Sequence, residues 1–259
     1  MNVADFNKVP GHWILAKMGK KVLRPGGKEM TLKLIKNLNI SQNDQIAEFA
    51  PGLGFTAKLA LAQNPETYTG IDADPDVIRR LNQKLAKNGT VTFHEGNAAE
   101  TKLPAESKDK VFGEAMLTMH ADHRKSDIIR EAHRILKKGG LYAIHEMGLH
   151  PDKLDENIKA AIQKDLALAI KVNARPLTVQ EWKSLLEQEG FTIKTTITNS
   201  MHLLKPLRII DDEGFFRTLK IMKNILFNLH ARKRILQMRK VFSKYENQLN
   251  AVMIVAEKI

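Results

Sequence analysis

The chain has 259 residues, with 41 Lys and Arg against 29 Asp and Glu, nine His and no Cys. That length supports one large domain with a well-buried core. With 43% hydrophobic and 27% charged residues it has a globular composition, which excludes a disordered or collagen-like chain. The lack of Cys excludes a disulfide scaffold, a thiolate metal or iron–sulfur site, and thiol nucleophile chemistry. No apolar run approaches the roughly 18–20 residues that span a bilayer. The opening MNVADFNKVPGHW lacks the basic-then-apolar order of a signal peptide, so a soluble cytoplasmic protein is expected. The formal net charge is +12, and residues 201–259 hold 12 Lys and Arg against 5 Asp and Glu, which places +7 of it near the C-terminus.

In chain order, QIAEF (45–49) reads as a strand ending in the turn APGLG, followed by a helix over 55–62. TYTGID (67–72) is a second strand. Asp74 then offers an N-cap and Pro75 a first-turn proline for a helix reaching about residue 88. VTFHE (91–95) and VFGEAMLT (111–118) are the third and fourth strands. The next helix shows Ile128, Ile129, Ala132 and Leu136 on one face and is expected to end at Lys137-Lys138-Gly139-Gly140, with cations on its last carbonyls. LYAIHEM (141–147) is a fifth strand, residues 179–189 a helix, FTIKTTI (191–197) a sixth strand and LNAVMIVAE (249–257) a last, antiparallel one. Strands alternating with helices at this spacing imply right-handed crossovers and a parallel sheet. The expected class is α/β, with an N-terminal segment over 1–44, a core over 45–203 and 246–259, and a basic helical insert over 204–245.

The informative segment runs from Glu48 through Ala50, Pro51, Gly52 and Gly54 to Ala57. A glycine turn between the first strand and its helix lets backbone approach a ligand, and an acid at the end of the next strand, Asp72, can accept from ribose hydroxyls. These features indicate an adenosine-containing cofactor. Gly52-x-Gly54-x-x-Ala57 satisfies the relaxed dinucleotide fingerprint, which keeps an NAD(P)-dependent oxidoreductase open. Glu48 argues otherwise, because a carboxylate suits the ammonium and sulfonium of S-adenosylmethionine better than a pyrophosphate.

The sequence resembles the class I S-adenosylmethionine-dependent methyltransferases, especially the broad group around the ubiquinone/menaquinone C-methyltransferases. The usual D/E-x-G-x-G-x-G appears as E-F-A-P-G-L-G, with Ala50 for the first glycine. GIDADPDVI, HEGNAAETKLP, EAHRILKKGGLYAIHE and LTVQEWKSLLEQEGF resemble later family segments in the same order, with Asn97 where Asp is usual and Lys138 where Pro is usual. The resemblance implies a Rossmann-like, seven-stranded, mostly parallel sheet flanked by helices, its last strand antiparallel between strands five and six. It also implies roles. Ala50, Pro51, Gly52 and Gly54 would border the methionine part, Glu48 its ammonium, Asp72 the ribose, Ala73 the adenine face, and Asn97-Ala98 the adenine edge.

Methyl transfer from a sulfonium is an in-line displacement on an activated donor, so the protein supplies alignment and dryness, with a base only where the acceptor must lose a proton. By the same resemblance the acceptor pocket would draw on His12, Trp13, Arg24, His145 and Glu146. His120, just after strand four, is the first choice for a base. Arg24 is read either as a partner for the cofactor carboxylate or as part of a turn, and His145 either as a pocket residue or as a buried, hydrogen-bonded ring within its strand. No H-E-x-x-H spacing calls for a metal.

In the insert, Phe215, Leu219, Met222, Leu226 and Leu229 follow helical spacing and are expected to pack as core or lid. Arg232-Lys233-Arg234 precedes Ile235, Met238 and Phe242 in a basic amphipathic pattern that could rest on an anionic membrane. A nucleic-acid-binding protein or RNA methyltransferase is the competing reading of that charge. It lacks interleaved stacking aromatics, so a small-molecule acceptor is expected.

Overall fold

The computed structural model describes residues 8–87 and 89–259. Two short helices lead in, α1 (Gly11–Lys17) and α2 (Gly27–Leu38). The core then alternates β1 (Gln45–Phe49), α3 (Phe55–Leu61), β2 (Thr67–Asp72), α4 (Pro75–Leu85), β3 (Val91–Glu95), β4 (Lys108–Glu114), α5 (Asp122–Ile135) and β5 (Leu136–Leu149). There follow α6 (Glu156–Ile170), β6 (Leu177–Thr178), α7 (Val179–Gln188), β7 (Phe191–Ser200), α8 (Pro206–Glu213), α9 (Phe215–Leu226), α10 (Leu229–Lys244) and β8 (Leu249–Lys258). The sheet order is β3-β2-β1-β4-β5-β8-β7, with the two-residue β6 paired to the end of β5. β8 runs antiparallel to both β5 and β7, and the other pairs are parallel. The expected Rossmann-like sheet is present, with β6 as an unforeseen eighth strand.

Strand side chains alternate faces, which divides the interior into two layers. Ala47, Phe49, Val111 and Ile144 pack with Ile128, Ala132 and Trp182 of α5 and α7. Their neighbours Ile46, Phe112 and Ala143 pack with Met30, Leu34, Ala57 and Leu81 of α2, α3 and α4. A third cluster, from Ile14, Leu149, Leu166 and Met238, joins α1, α6 and α10 at the carboxyl end of β5. It roofs the sheet end where open α/β folds bind ligands.

Local chemistry accounts for several boundaries. Asp74 caps α4 by accepting from Asp76 N (2.9 Å) and Val77 N (3.3 Å), with Pro75 at the first helical position. Thr178 and Glu181 form a capping box on α7. β4 ends at Glu114, before the expected Thr118, because Glu146 captures the chain beyond it: its carboxylate accepts from the N–H groups of Met116, Leu117 and Thr118. α5 ends at Ile135, and Lys137 does not cap it; that ammonium pairs with Asp109 at 2.8 Å instead.

The insert departs from expectation in one respect. On α9 the buried residues are Thr218 and Ile221, while Phe215, Leu219, Met222 and Leu226 face solvent and Leu229 at the start of α10 does too. The helix is apolar on two faces, and the packed face is the one the stripe does not mark. On α10, Ile235 and Met238 are buried, so that helix spends its apolar side on the roof and cannot offer it to a membrane. The insert is tied to the N-terminal segment by charge. Asp212 at the end of α8 pairs with buried Lys20 (3.3 Å) and accepts from Lys28 N (2.7 Å), and Glu213 accepts from Lys21 N and Val22 N.

Candidate functional site

The turn after β1 places three residues in the left-handed region: Ala50 (φ 53°), Gly52 (φ 55°) and Gly54 (φ 75°). The two glycines serve different ends. A Cβ built on Gly52 meets nothing nearer than Ala50 O at 3.9 Å, so that glycine leaves the turn open to a ligand. A Cβ on Gly54 would lie 2.6 Å from Leu81 Cδ2, so that one lets α3 and α4 pack closely. Asp72, at the end of β2, holds the turn: its carboxylate accepts from Gly52 N (3.1 Å) and Asp74 N (3.0 Å). Burial raises its pKa, against the pull of those N–H groups. Each carboxylate oxygen has a further lone pair, so two acceptor positions remain for hydroxyls.

Beside this turn lies a cavity of about 380 Å³. Its wall brings together Ala50, Pro51, Gly52, Asp72 and Ala73 from the core with His12, Trp13 and Arg24 from the N-terminal segment, residues far apart in sequence. Sequence reasoning missed Glu114, Ala115, Met116 and Met119 on the opposite wall, and Asp74, which it had read only as a cap. An acid directly after the apolar run Val111-Phe112-Gly113 was the available signal for Glu114.

Glu114 organises the cavity floor. Its carboxylate receives Thr31 Oγ1 (2.8 Å), His145 Nδ1 (2.7 Å) and the Thr56 hydroxyl, and Arg24 Nε lies 2.6 Å away as an ion pair. Burial alone would raise its pKa, but the Arg24 guanidinium and the His145 ring outweigh that and hold it down at about 2. His145 Nε2 faces the Pro25 carbonyl at 2.6 Å, so both ring nitrogens point at oxygen atoms. His145 is therefore a fully buried link between the Arg24–Pro25 turn and Glu114.

Other expected residues are placed away from the cavity wall. Glu48 is 1% exposed and takes the Tyr68 hydroxyl; burial pushes it up to about 8, against that hydrogen bond, so it is neutral near pH 7. Gly54 packs against α4, as described. Asn97 and Ala98 follow β3 next to Gly96, whose N–H donates to Asp72 O (2.9 Å), and Asn97 Oδ1 accepts from Ala99 N (3.0 Å). Glu146 is buried and satisfied by the post-β4 turn. His120 lies just beyond that turn and lines neither this cavity nor its neighbour. Burial, then Arg124 and Lys125, lowers its pKa. Among the described residues no group of three or more His, Asp or Glu is placed to hold a metal ion.

A second, apolar cavity of about 70 Å³ adjoins the first, sharing His12, Leu23, Ala115 and Met119 with it. Met147, Ile170, Met201 and Met238 also line it, and Leu203 and Phe242 continue it into an outer groove bearing Arg208 and Arg239.

The model of the methyltransferase domain matches residues 47–144, the span from β1 to β5 that builds this turn and Asp72. The chain is 34% identical over 251 residues to an uncharacterized protein of Haemophilus influenzae, covering 96% of this chain and 98% of the relative. It is 27% identical over 183 residues to an uncharacterized methyltransferase of Synechocystis, covering 70% and 83%. The chain belongs to the class I S-adenosylmethionine-dependent methyltransferases. Phosphoethanolamine N-methyltransferase 2 of Haemonchus contortus, solved with S-adenosyl-L-methionine, superimposes with a TM-score of 0.71 at 17% identity over all of this chain and 60% of its own. That likeness concerns the fold. With the family comes its cofactor, S-adenosylmethionine, and the open Gly52 turn beside Asp72 fits such a group.

Proposed function

We propose that the protein transfers a methyl group from S-adenosylmethionine to a small lipophilic acceptor. The supporting observation is the apolar cavity that shares a wall with the Asp72–Gly52 cavity. When bound, the cofactor supplies an electrophilic methyl group on a sulfonium. The chain's own residues do the rest. Gly52 and its neighbours would border the methionine portion, Asp72 would accept from the ribose, and Ala73 would lie against the adenine. Arg24, fixed by Glu114, would face the cofactor carboxylate. Asn97 and Ala98 follow Gly96, whose N–H donates to Asp72 O, and would meet the adenine edge.

At the boundary of the two cavities stands His12. Burial lowers its pKa, so its ring is neutral near pH 7 and able to accept a proton from a hydroxyl or amine acceptor. It is better placed for that role than His120. Met119, Met147, Met201 and Met238 provide a dry, adaptable wall that excludes water from the displacement. The test is a labelled-methyl transfer assay against lipid extracts and polar metabolite fractions. Label in the lipid-soluble fraction supports this reading; incorporation only into polar metabolites or RNA overturns it.

A further inference from the structure

α9 covers the N-terminal segment with one face and, among the described residues, leaves the other unpartnered. On the covered side Asn224 Nδ2 donates to Met18 O (2.9 Å), Arg217 Nε donates to Gly19 O (3.1 Å), and Ile221 is buried. On the outer side Phe215, Leu219, Met222 and Leu226 are each at least half exposed, flanked by Phe216 at 86% and Phe227 at 78%. Burying one face suffices to hold a helix in place, so the second apolar face has no part in that packing. Contiguous exposed apolar surface of this kind marks an interaction site.

The surrounding charge identifies the partner. From Gly214 to Tyr245 the chain carries nine Lys and Arg and no Asp or Glu. Lys220 and Lys223 are exposed on α9, and Arg232, Lys233, Arg239 and Lys240 on α10. A second copy docked face to face would set this cation belt against itself. A nucleic acid would take the cations but leave Phe216, Met222 and Phe227 against phosphate. Only an anionic lipid interface accepts both, with acyl chains for the ridge and head groups for its flanks.

We propose that the outer face of α9 docks the protein on an anionic membrane surface. The segment under α9 continues to Lys21, Leu23 and Arg24 on the cavity wall. Docking therefore brings the cavities near the bilayer, where a lipophilic acceptor would be concentrated. That last consequence rests on the proposed function; the docking itself does not.

The test is flotation of the full chain with vesicles of phosphatidylcholine alone and of phosphatidylcholine mixed with phosphatidylglycerol. The variants are Phe216→Ser/Phe227→Ser and Lys220→Glu/Lys223→Glu, all at exposed positions, with unchanged Tm as the folding check. The wild type should float with the phosphatidylglycerol vesicles, and binding should fall by about tenfold or more with phosphatidylcholine alone and in either variant. Equal binding to both vesicles, no binding to either, or variants that bind like the wild type would overturn the proposal. So would a concentration-dependent dimer abolished by the serine pair, or salt-sensitive RNA binding lost only in the glutamate pair. Calorimetry with S-adenosylhomocysteine on the same samples separates the two readings: intact cofactor binding without flotation removes only the docking, and flotation without cofactor binding removes only the methyltransferase assignment of the cavity.

Discussion

Replacing Glu114 by Gln tests whether one buried carboxylate joins the N-terminal segment to the sheet. In the wild type that group faces Arg24 Nε at 2.6 Å, His145 Nδ1 at 2.7 Å, Thr31 Oγ1 at 2.8 Å and the Thr56 hydroxyl. An amide keeps the shape but puts an NH2 against one of those donor pairs and leaves the Arg24 charge buried without its counter-ion. Breaking a buried pair by removing one partner costs about 3–5 kcal/mol. At the unfolding entropy of a chain this long, that corresponds to a Tm lower by about 6–10 °C. The acid limb should change too. A carboxyl held at about 2 when folded, below its ordinary 4.5, adds stability that is complete above about pH 4.5 and is lost as pH falls toward 2. Thermal unfolding followed by circular dichroism between pH 2 and 7 reads both effects. A Tm within about 2 °C of wild type at pH 7, or an unchanged acid limb, would refute the account.

Asp72→Ala should weaken S-adenosylhomocysteine binding by about tenfold to a hundredfold, the loss of one or two hydrogen bonds to a charged acceptor, measured by calorimetry; unchanged affinity would remove the ribose assignment. Ala50→Gly relieves a left-handed alanine at φ 53° and should raise stability by up to about 1 kcal/mol in urea unfolding, with a loss of stability counting against strain there. Glu48, raised from 4.5 to about 8, should make stability fall as pH climbs through that window, since the folded state holds a proton the unfolded state has released. Glu48→Gln should flatten that slope, and an unaltered slope would place its origin elsewhere. Once an acceptor is found, His12→Ala should lower kcat far more than His120→Ala; the reverse order would restore His120 as the base.

Much of the core was legible because its signals are local. The glycine turn, Asp72 two residues before its capping partner Asp74, and the strand–helix rhythm each depend on neighbours in sequence, and the sheet followed from them by the handedness of its crossovers. Two acids show the limit. Glu48 stood in the expected motif position, yet Tyr68, twenty residues on, closes over it; Glu114 carried no motif, yet four separate segments converge on it.

The sequence alone determined the fold class, the cofactor family and the place where the positive charge collects. Tertiary structure decided which of two apolar faces on α9 is buried, because periodicity marks a face without saying what lies opposite it. It also decided that His12, remote in sequence from the core motifs, stands between the two cavities. Burial and long-range contact are set by the chain's return path, and no local pattern encodes that path. The C-terminal charge is thereby resolved into a belt around an exposed ridge.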